Sequence, residues 1–287
     1  MKNKMTTRAI KDNSNQPHIQ IIPPQGWGNL ALHEVWKYRE LLWFWTLRQI
    51  KGRYRQMALG PLWVLLNPII YMIIFSLVFG GLAKLPSDGV PYPLFTFTAL
   101  LPWHYFFDGV NWSVNSLVSQ KEVMSKIYFP RIILPVSSML SALIDLAVAF
   151  LVLIVLMIYY GIAPSWHILF LPFYVLFAAA TGLSVGLWCA TVAVRFRDIQ
   201  FAIQYGLNAF MYATPVAYSA SLIPERWLWL YQLNPMYWVI EGWRWSLLGT
   251  GQPPQIYMLF SILIVVFLLI SGLYIFRHQE RTIADWI

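Results

Sequence analysis

The sequence predicts an all-α integral membrane protein of six spans, and three observations predict it. Apolar residues make up 59% of the chain and charged residues only 11%, against about 25% charged in an average soluble domain. Several stretches free of charge are longer than the roughly 20 residues a helix needs to cross a bilayer. The gaps between these stretches are alternately basic and nearly neutral: of the 20 Lys and Arg, only Lys84, Arg226 and Arg244 fall on the weakly charged side. An excess of Lys and Arg marks cytoplasmic loops, so both termini are expected inside, after an even number of crossings.

The net charge of +8 sits in short loops and one N-terminal segment rather than in a patch on a polar domain. Membrane topology accounts for it, and nucleic-acid binding is not expected. Cys189 is the single cysteine and lies in an apolar run, which excludes an intrachain disulfide and a thiolate metal cluster.

Residues 1–29 read as a polar N-terminal tail with Pro17, Pro23 and Pro24 and no continuous apolar run of the signal-peptide kind. Residues 30–58 follow as an amphipathic helix at the cytoplasmic interface. His33, Lys37, Glu40, Arg48, Lys51 and Arg55 fall on one stripe, broken by Phe44, while Leu32, Val35, Trp36, Trp43, Leu47, Ile50 and Tyr54 favour the rest of the surface. Such a helix lies along a membrane face. It serves as a lipid anchor, with or without a docking role for a cytoplasmic partner.

The six-span domain is expected over 59–276. Its first span is Leu62 to Ala83 and its second Leu94 to Leu117, interrupted only by Asp108. The run from Ile132 to Val194 holds one charge, Asp145, and breaks at Tyr159-Tyr160-Gly161-Ile162-Ala163-Pro164, giving spans of 135–159 and 168–193. A fifth span covers Ile199 to Ala217 and the last Ile256 to Phe276, followed by a cytoplasmic tail, 277–287. Residues 218–255 are apolar, contain Trp227, Trp229, Trp238, Trp243 and Trp245, and are cut by Pro224, Pro235, Pro253 and Pro254. Neither half is long enough to cross, which predicts a re-entrant or interfacial helix pair on the extracytoplasmic side.

Asp108 and Asp145 are the only acids inside spans, where a carboxylate costs about 2.5–3.5 kcal/mol on insertion scales. Helical spacing puts His104 and Asn111 near Asp108, within reach of a local hydrogen-bond cluster. That cluster lines a water-filled path or fastens the bundle. One His and one Asp are too few ligands for a metal.

Several segments, in order along the chain, carry a resemblance. They are Lys51-Gly52-Arg53-Tyr54-Arg55-Gln56, Leu59-Gly60-Pro61-Leu62-Trp63, Asn67-Pro68, Leu101-Pro102-Trp103 and Lys126-Ile127-Tyr128-Phe129-Pro130-Arg131. Val194-Arg195-Phe196-Arg197-Asp198-Ile199, Ala213-Thr214-Pro215-Val216, Asn234-Pro235-Met236 and Ile240-Glu241-Gly242-Trp243-Arg244-Trp245 complete the set. Together they resemble, over residues 30–276, the type-2 ABC permeases that export O-antigen, capsular polysaccharide or teichoic acid. Asn67 stands where Gln is commoner in that family, and Trp243 where Phe is.

The resemblance implies a homodimer in the bacterial inner membrane, bound to membrane lipids and to two copies of a separate ATPase. A lipid-linked polysaccharide would pass between the two permease copies. The sequence contains no Gly-Lys pair and therefore no P-loop. No cofactor is expected in this chain, and ATP and Mg would be held by the partner. The second cytoplasmic loop is the expected docking element, through Lys121, Glu122, Met124, Lys126, Ile127, Tyr128 and Arg131, joined by Lys37, Arg48, Lys51 and Arg53 of the interface helix.

Sugar rings stack their apolar faces on aromatic side chains. Expected channel-lining residues are therefore Trp103, Tyr105, Phe106, Asp108 and Trp112 in the second span, with Tyr205, Asn208 and Tyr212 in the fifth. Pro215, Pro235, Glu241 and Arg244 are expected at an outer gate. Two rival readings are a membrane-embedded glycan-processing enzyme and a secondary transporter using Asp108 and Asp145.

Overall fold

In a computed structural model, the described residues are 36–55, 59–60, 62–126, 129–196 and 198–286, without the side chains of 121, 125 and 280–286. Residues 1–29, His33, Ile127, Tyr128 and Arg197 lie outside the described residues or side chains, as does the Lys121 side chain. Every regular element among the described residues is helical.

Helix α1, Arg39–Tyr54, precedes α2, Leu62–Phe75, which contains Pro68 and continues as a π-helical turn, Ser76–Leu82. Helix α3, Tyr92–Ser119, and the short α4, Lys121–Lys126, follow. Helix α5, Ile133–Tyr160, stops at Gly161, whose φ of 68° lets its N–H close the last turn on Met157 and Ile158, the left-handed cap that glycine favours. A 3-10 turn, Trp166–Phe170, leads into α6, Leu171–Arg195, and then α7, Asp198–Tyr212. Helices α8, Glu225–Leu233, and α9, Pro235–Leu248, share Asn234 as their only link, and α10 runs Ile256–Trp286.

Four segments are long and apolar enough to cross a membrane: Leu62–Leu82, Ile133–Tyr160, Trp166–Arg195 and Ile256–Gln279. Of the six crossings expected from sequence, these four meet both criteria among the described residues. Helix α3 has 28 residues, enough length to cross, but eighteen are buried among its neighbours, so its side chains need not match lipid. Helix α7 has 15 residues, about 22 Å of helix, because the chain turns at 213–218 where the sequence suggested four or five more helical residues. Helix α10 runs past Phe276 to Trp286, since no Gly or Pro interrupts the segment that was expected as a tail.

Helix α3 is the axis of the bundle, packed against α2, α5, α6, α7 and α9. One buried cluster surrounds it and includes Trp103, Tyr174, Tyr237, Trp238 and Trp243. A second cluster gathers Trp45 of α1, Leu117 of α3, Met124 of α4, Phe129, Ile133 and Leu134 at the start of α5, Leu187 of α6 and Phe276 of α10. Helix α9 belongs to the core, with 11 of its 14 residues buried.

The Asn234 side chain starts α9 by accepting the Met236 N–H at 3.0 Å while its amide donates to Thr214 Oγ1 at 3.0 Å. Losing such a cap costs about 1 kcal/mol. Asn234→Ala should lower the thermal midpoint of the detergent-purified chain, and Asn234→Asp, which keeps the acceptor, should recover most of the loss.

Candidate functional site

Arg53, Asp108 and Asp145 converge on one cavity of about 290 Å³ between α1, α2, α3 and α5. Arg53, Tyr54, Trp63, Asn67, His104, Asp108, Trp112 and Asp145 supply its polar and aromatic walls. It is built by helix register. Gln49 Nε2 donates to Ser137 Oγ at 2.9 Å, Arg53 reaches Ser141 Oγ and donates to Asp145 Oδ2 at 2.9 Å, and Tyr54 O–H donates to Asp145 Oδ1 at 2.9 Å. Steps of four on α1 meet steps of four on α5, so the two helices run side by side in the same direction. The Arg53 guanidinium also lies 3.4 Å from the centroid of the Trp112 ring, a cation–π contact. Burial first, and then the Asp145 carboxylate, push the Tyr54 phenol upward, which keeps it a donor.

Arg53 was expected to face a partner protein. The structure turns it inward, because an arginine beside a half-buried carboxylate gains more from that pair than from solvent. The expected cluster of Asp108, His104 and Asn111 is not formed. The Asn111 amide bonds back to Phe107 O at 2.9 Å, His104 Nε2 is buried without a partner, and Asp108 makes no hydrogen bond among the described residues.

On the face near α1 and α4, Lys37, Arg48, Lys51, Glu122 and Lys126 are exposed and Arg131 is half-buried. Arg48 sits 4.6 Å over the Trp45 ring. Met124 is buried in the second cluster, so it fastens α4 to the bundle and is not available to a partner. Trp36, just before α1, and Trp43 and Phe44 on it are exposed, as an aromatic membrane-interface surface requires.

Trp103, Tyr105 and Phe106 are 1%, 4% and 2% exposed. Trp103 and Phe106 pack around the central helix and Tyr105 also lines the cavity described above; none of the three reaches an outer surface of this chain. Tyr205, Asn208 and Tyr212 lie on one face of α7, with Tyr205 and Tyr212 exposed and Asn208 half-buried. Gln204 beside them is exposed too.

Among the outer-gate candidates, Pro215 is buried in the 213–218 turn and Pro235 is the first residue of α9. Glu241 and Arg244 form a buried ion pair at 3.1 Å. The second oxygen of Glu241 accepts the Gln252 N–H at 3.1 Å, and Arg244 donates to Val216 O at 2.9 Å and Tyr218 O at 3.3 Å. Spacing on α9 suggested the ion pair. Nothing in the sequence indicated that it ties the 213–218 turn to the loop after α9.

A family model described as ABC-2 type transporter matches residues 40–248. The O-antigen export system permease protein RfbA of Myxococcus xanthus is 30% identical over 260 residues, 89% of this chain and 98% of that protein. The RfbA permease of Klebsiella pneumoniae is 26% identical over 250 residues, 86% of this chain and 94% of that protein. The polysialic acid transport protein KpsM of Escherichia coli is 23% identical over 241 residues, covering 82% and 92%.

Proposed function

This chain belongs to the ABC-2 type transporter family, and from that premise we propose that it is the permease subunit of an ATP-driven exporter moving a lipid-linked polysaccharide across the bacterial inner membrane. The observation that carries the reading is the end-to-end likeness to proteins named as O-antigen export permeases. Six crossings, a re-entrant α8–α9 pair, cytoplasmic termini and a homodimer complete the proposal.

The α7 face supports a pathway between two copies. A helix facing only lipid has little use for Gln204, Tyr205, Asn208 and Tyr212 on one side, whereas sugar rings stack on tyrosine and bond to amides. Helix α2 is the other open element. Only 11% of its most apolar stretch is buried, against 28–33% in the other three long apolar helices, and its Phe75 touches Tyr212 at 6.5 Å between ring centroids. The Glu241–Arg244 pair would serve the outer gate by holding the turn at the end of α7 to α9.

The ATPase would dock on the basic face of α1 and α4 and hold ATP and Mg itself. Lys126→Glu is expected to weaken co-purification with the ATPase about tenfold, or about 1.4 kcal/mol, and Lys51→Glu to add to the loss. Binding unchanged in the double variant would remove this face as the docking site.

The decisive experiment removes this chain from its cell and follows the polymer. An exporter's loss leaves full-length lipid-linked polysaccharide inside. A glycan-processing enzyme's loss changes polymer length or composition instead. Export that continues when the ATPase subunit cannot hydrolyse ATP would point to a secondary transporter.

A further inference from the structure

We infer that Asp108 is the second seat of a two-position latch, in which Arg53 leaves Asp145 on α5 for Asp108 on α3 when α1 moves. The inference rests on the proposed docking of an ATPase on α1 and takes nucleotide binding by that partner to move the helix.

The cavity has a carboxylate on each of two walls, and one guanidinium lines it with them. Asp145 is doubly served, by Arg53 on Oδ2 and Tyr54 on Oδ1, both at 2.9 Å. Asp108 makes no hydrogen bond among the described residues, and Arg53 Nε is buried without an acceptor. A buried donor without an acceptor and a half-buried carboxylate without a donor, lining one space, mark a second arrangement in which they meet. Exchange does not orphan Asp145, because Tyr54 stays bonded to it. One charged pair is lost and one gained, so the exchange keeps the number of ion pairs in the cavity constant, and a switch needs two positions close in free energy.

The path between the seats exists. Trp112 stands four residues after Asp108 on the same face of α3, and the Arg53 guanidinium already rests on its ring at 3.4 Å. The ring supports a cation at either end of the swing. The cavity of about 290 Å³ opens beside the side chain, walled by Val64, Pro68, Leu101 and Ala142. Gly52 precedes Arg53, and a Cβ there would meet nothing within 4 Å. Packing does not demand this glycine, and its effect is to loosen the last turn of α1.

The consequence is mechanical. In the observed seat both Arg53 and Tyr54 fasten α1 to α5. In the second Tyr54 would keep α1 hinged on α5 while Arg53 pulls on α3, the helix that touches α2, α7 and α9, and so on every element proposed to line or gate the pathway.

The test uses the full permease–ATPase complex in lipid nanodiscs, with Cys189→Ala and Glu40→Cys so that a water-soluble maleimide reports on α1. Labelling is timed with and without a non-hydrolysable ATP analogue, and export is assayed in cells. In the parent the analogue should change the rate. Asp108→Asn should hold the nucleotide-free rate in both conditions and lower export about tenfold, and Asp108→Glu should restore both. Asp145→Asn should show the nucleotide-bound rate without nucleotide. An Asp108→Asn complex that responds and exports like the parent overturns the latch alone. A parent that does not respond to nucleotide overturns the coupling reading and the latch with it. Should Asp108→Asn fail to assemble, Asp145→Asn decides, since a parent-like rate without nucleotide also overturns the latch.

Discussion

Arg244→Ala is expected to leave most of the chain unfolded when extracted in mild detergent. Arg244 is fully buried and joins three segments at once. It pairs with Glu241 on its own helix, donates to Val216 and Tyr218 in the turn after α7, and stacks 3.7 Å from the centroid of Phe95 on α3. Glu241 in turn holds the Gln252 N–H of the loop after α9. Truncating the arginine leaves a carboxylate without its counter-charge and two carbonyls without donors. Removing one partner of a buried pair costs about 3–5 kcal/mol, a large share of the roughly 5–15 kcal/mol that holds a domain together.

Arg244→Lys should fall near alanine, because one ammonium cannot reproduce a planar fork over an aromatic ring. Glu241→Gln/Arg244→Met, which removes both charges, should be better folded than either Arg244→Ala or Glu241→Ala. Size-exclusion profiles and thermal midpoints in detergent read the order. Equal stability of Arg244→Ala and the parent would mean that the pair fastens nothing.

The pattern of long apolar runs made the helical bundle legible, and punctuation fixed its clearest boundary. Gly161 and Pro164 separate α5 from α6 because a left-handed cap and a proline are local chemistry, visible in any window. What the sequence did not disclose is which helix lies inside. Composition treats α3 and α9 as ordinary apolar pieces, yet α3 is the axis and α9 is nearly enclosed, and that depends on neighbours far along the chain. The same limit applies to the cavity. Spacing grouped Asp108 with His104 and Asn111 on one helix, whereas the bond that forms joins Arg53 to Asp145, 92 residues away. A basic residue before a span satisfies the topology rule whatever it touches, so Arg53 carried no sign of its partner.

The segments that carried the resemblance have a structural reason to stand out. Arg53 and Tyr54 dock α1 on α5, Asn234 and Pro235 start α9, and Glu241 and Arg244 tie α9 to the turns beside it. Each lies where two helices are fastened rather than where one faces lipid. A lipid-facing stripe is satisfied by many apolar residues, while a fastening point is satisfied by few. The exposed charges Lys37, Arg48, Lys51 and Lys126 were legible for a different reason: charges in a chain this apolar are confined to water.

Gly242→Ala is the second substitution expected to be severe, and it tests the packing of α9 directly. A Cβ at residue 242 would overlap the Cε1, Cζ and Cδ1 atoms of Tyr174 on α6. That ring is 1% exposed and backed by Phe173 at 5.3 Å between centroids, so it has little room to retreat. The helices must separate, and overpacking of this kind costs about 1–3 kcal/mol or more. Tyr174→Ala alone should cost about 3–5 kcal/mol as a large-to-small core change. In the double variant the new methyl enters the space the ring vacates, so its cost should fall short of the sum by about 1–3 kcal/mol. Gly206→Ala on α7, where a Cβ meets nothing within 4 Å, should show no loss and separates the steric effect from any general intolerance of alanine. Additive costs at 174 and 242 would mean that α9 does not rest on α6 at this point. The Glu241–Arg244 ion pair, which spans Gly242 on α9, would then have to hold the 213–218 turn without that support.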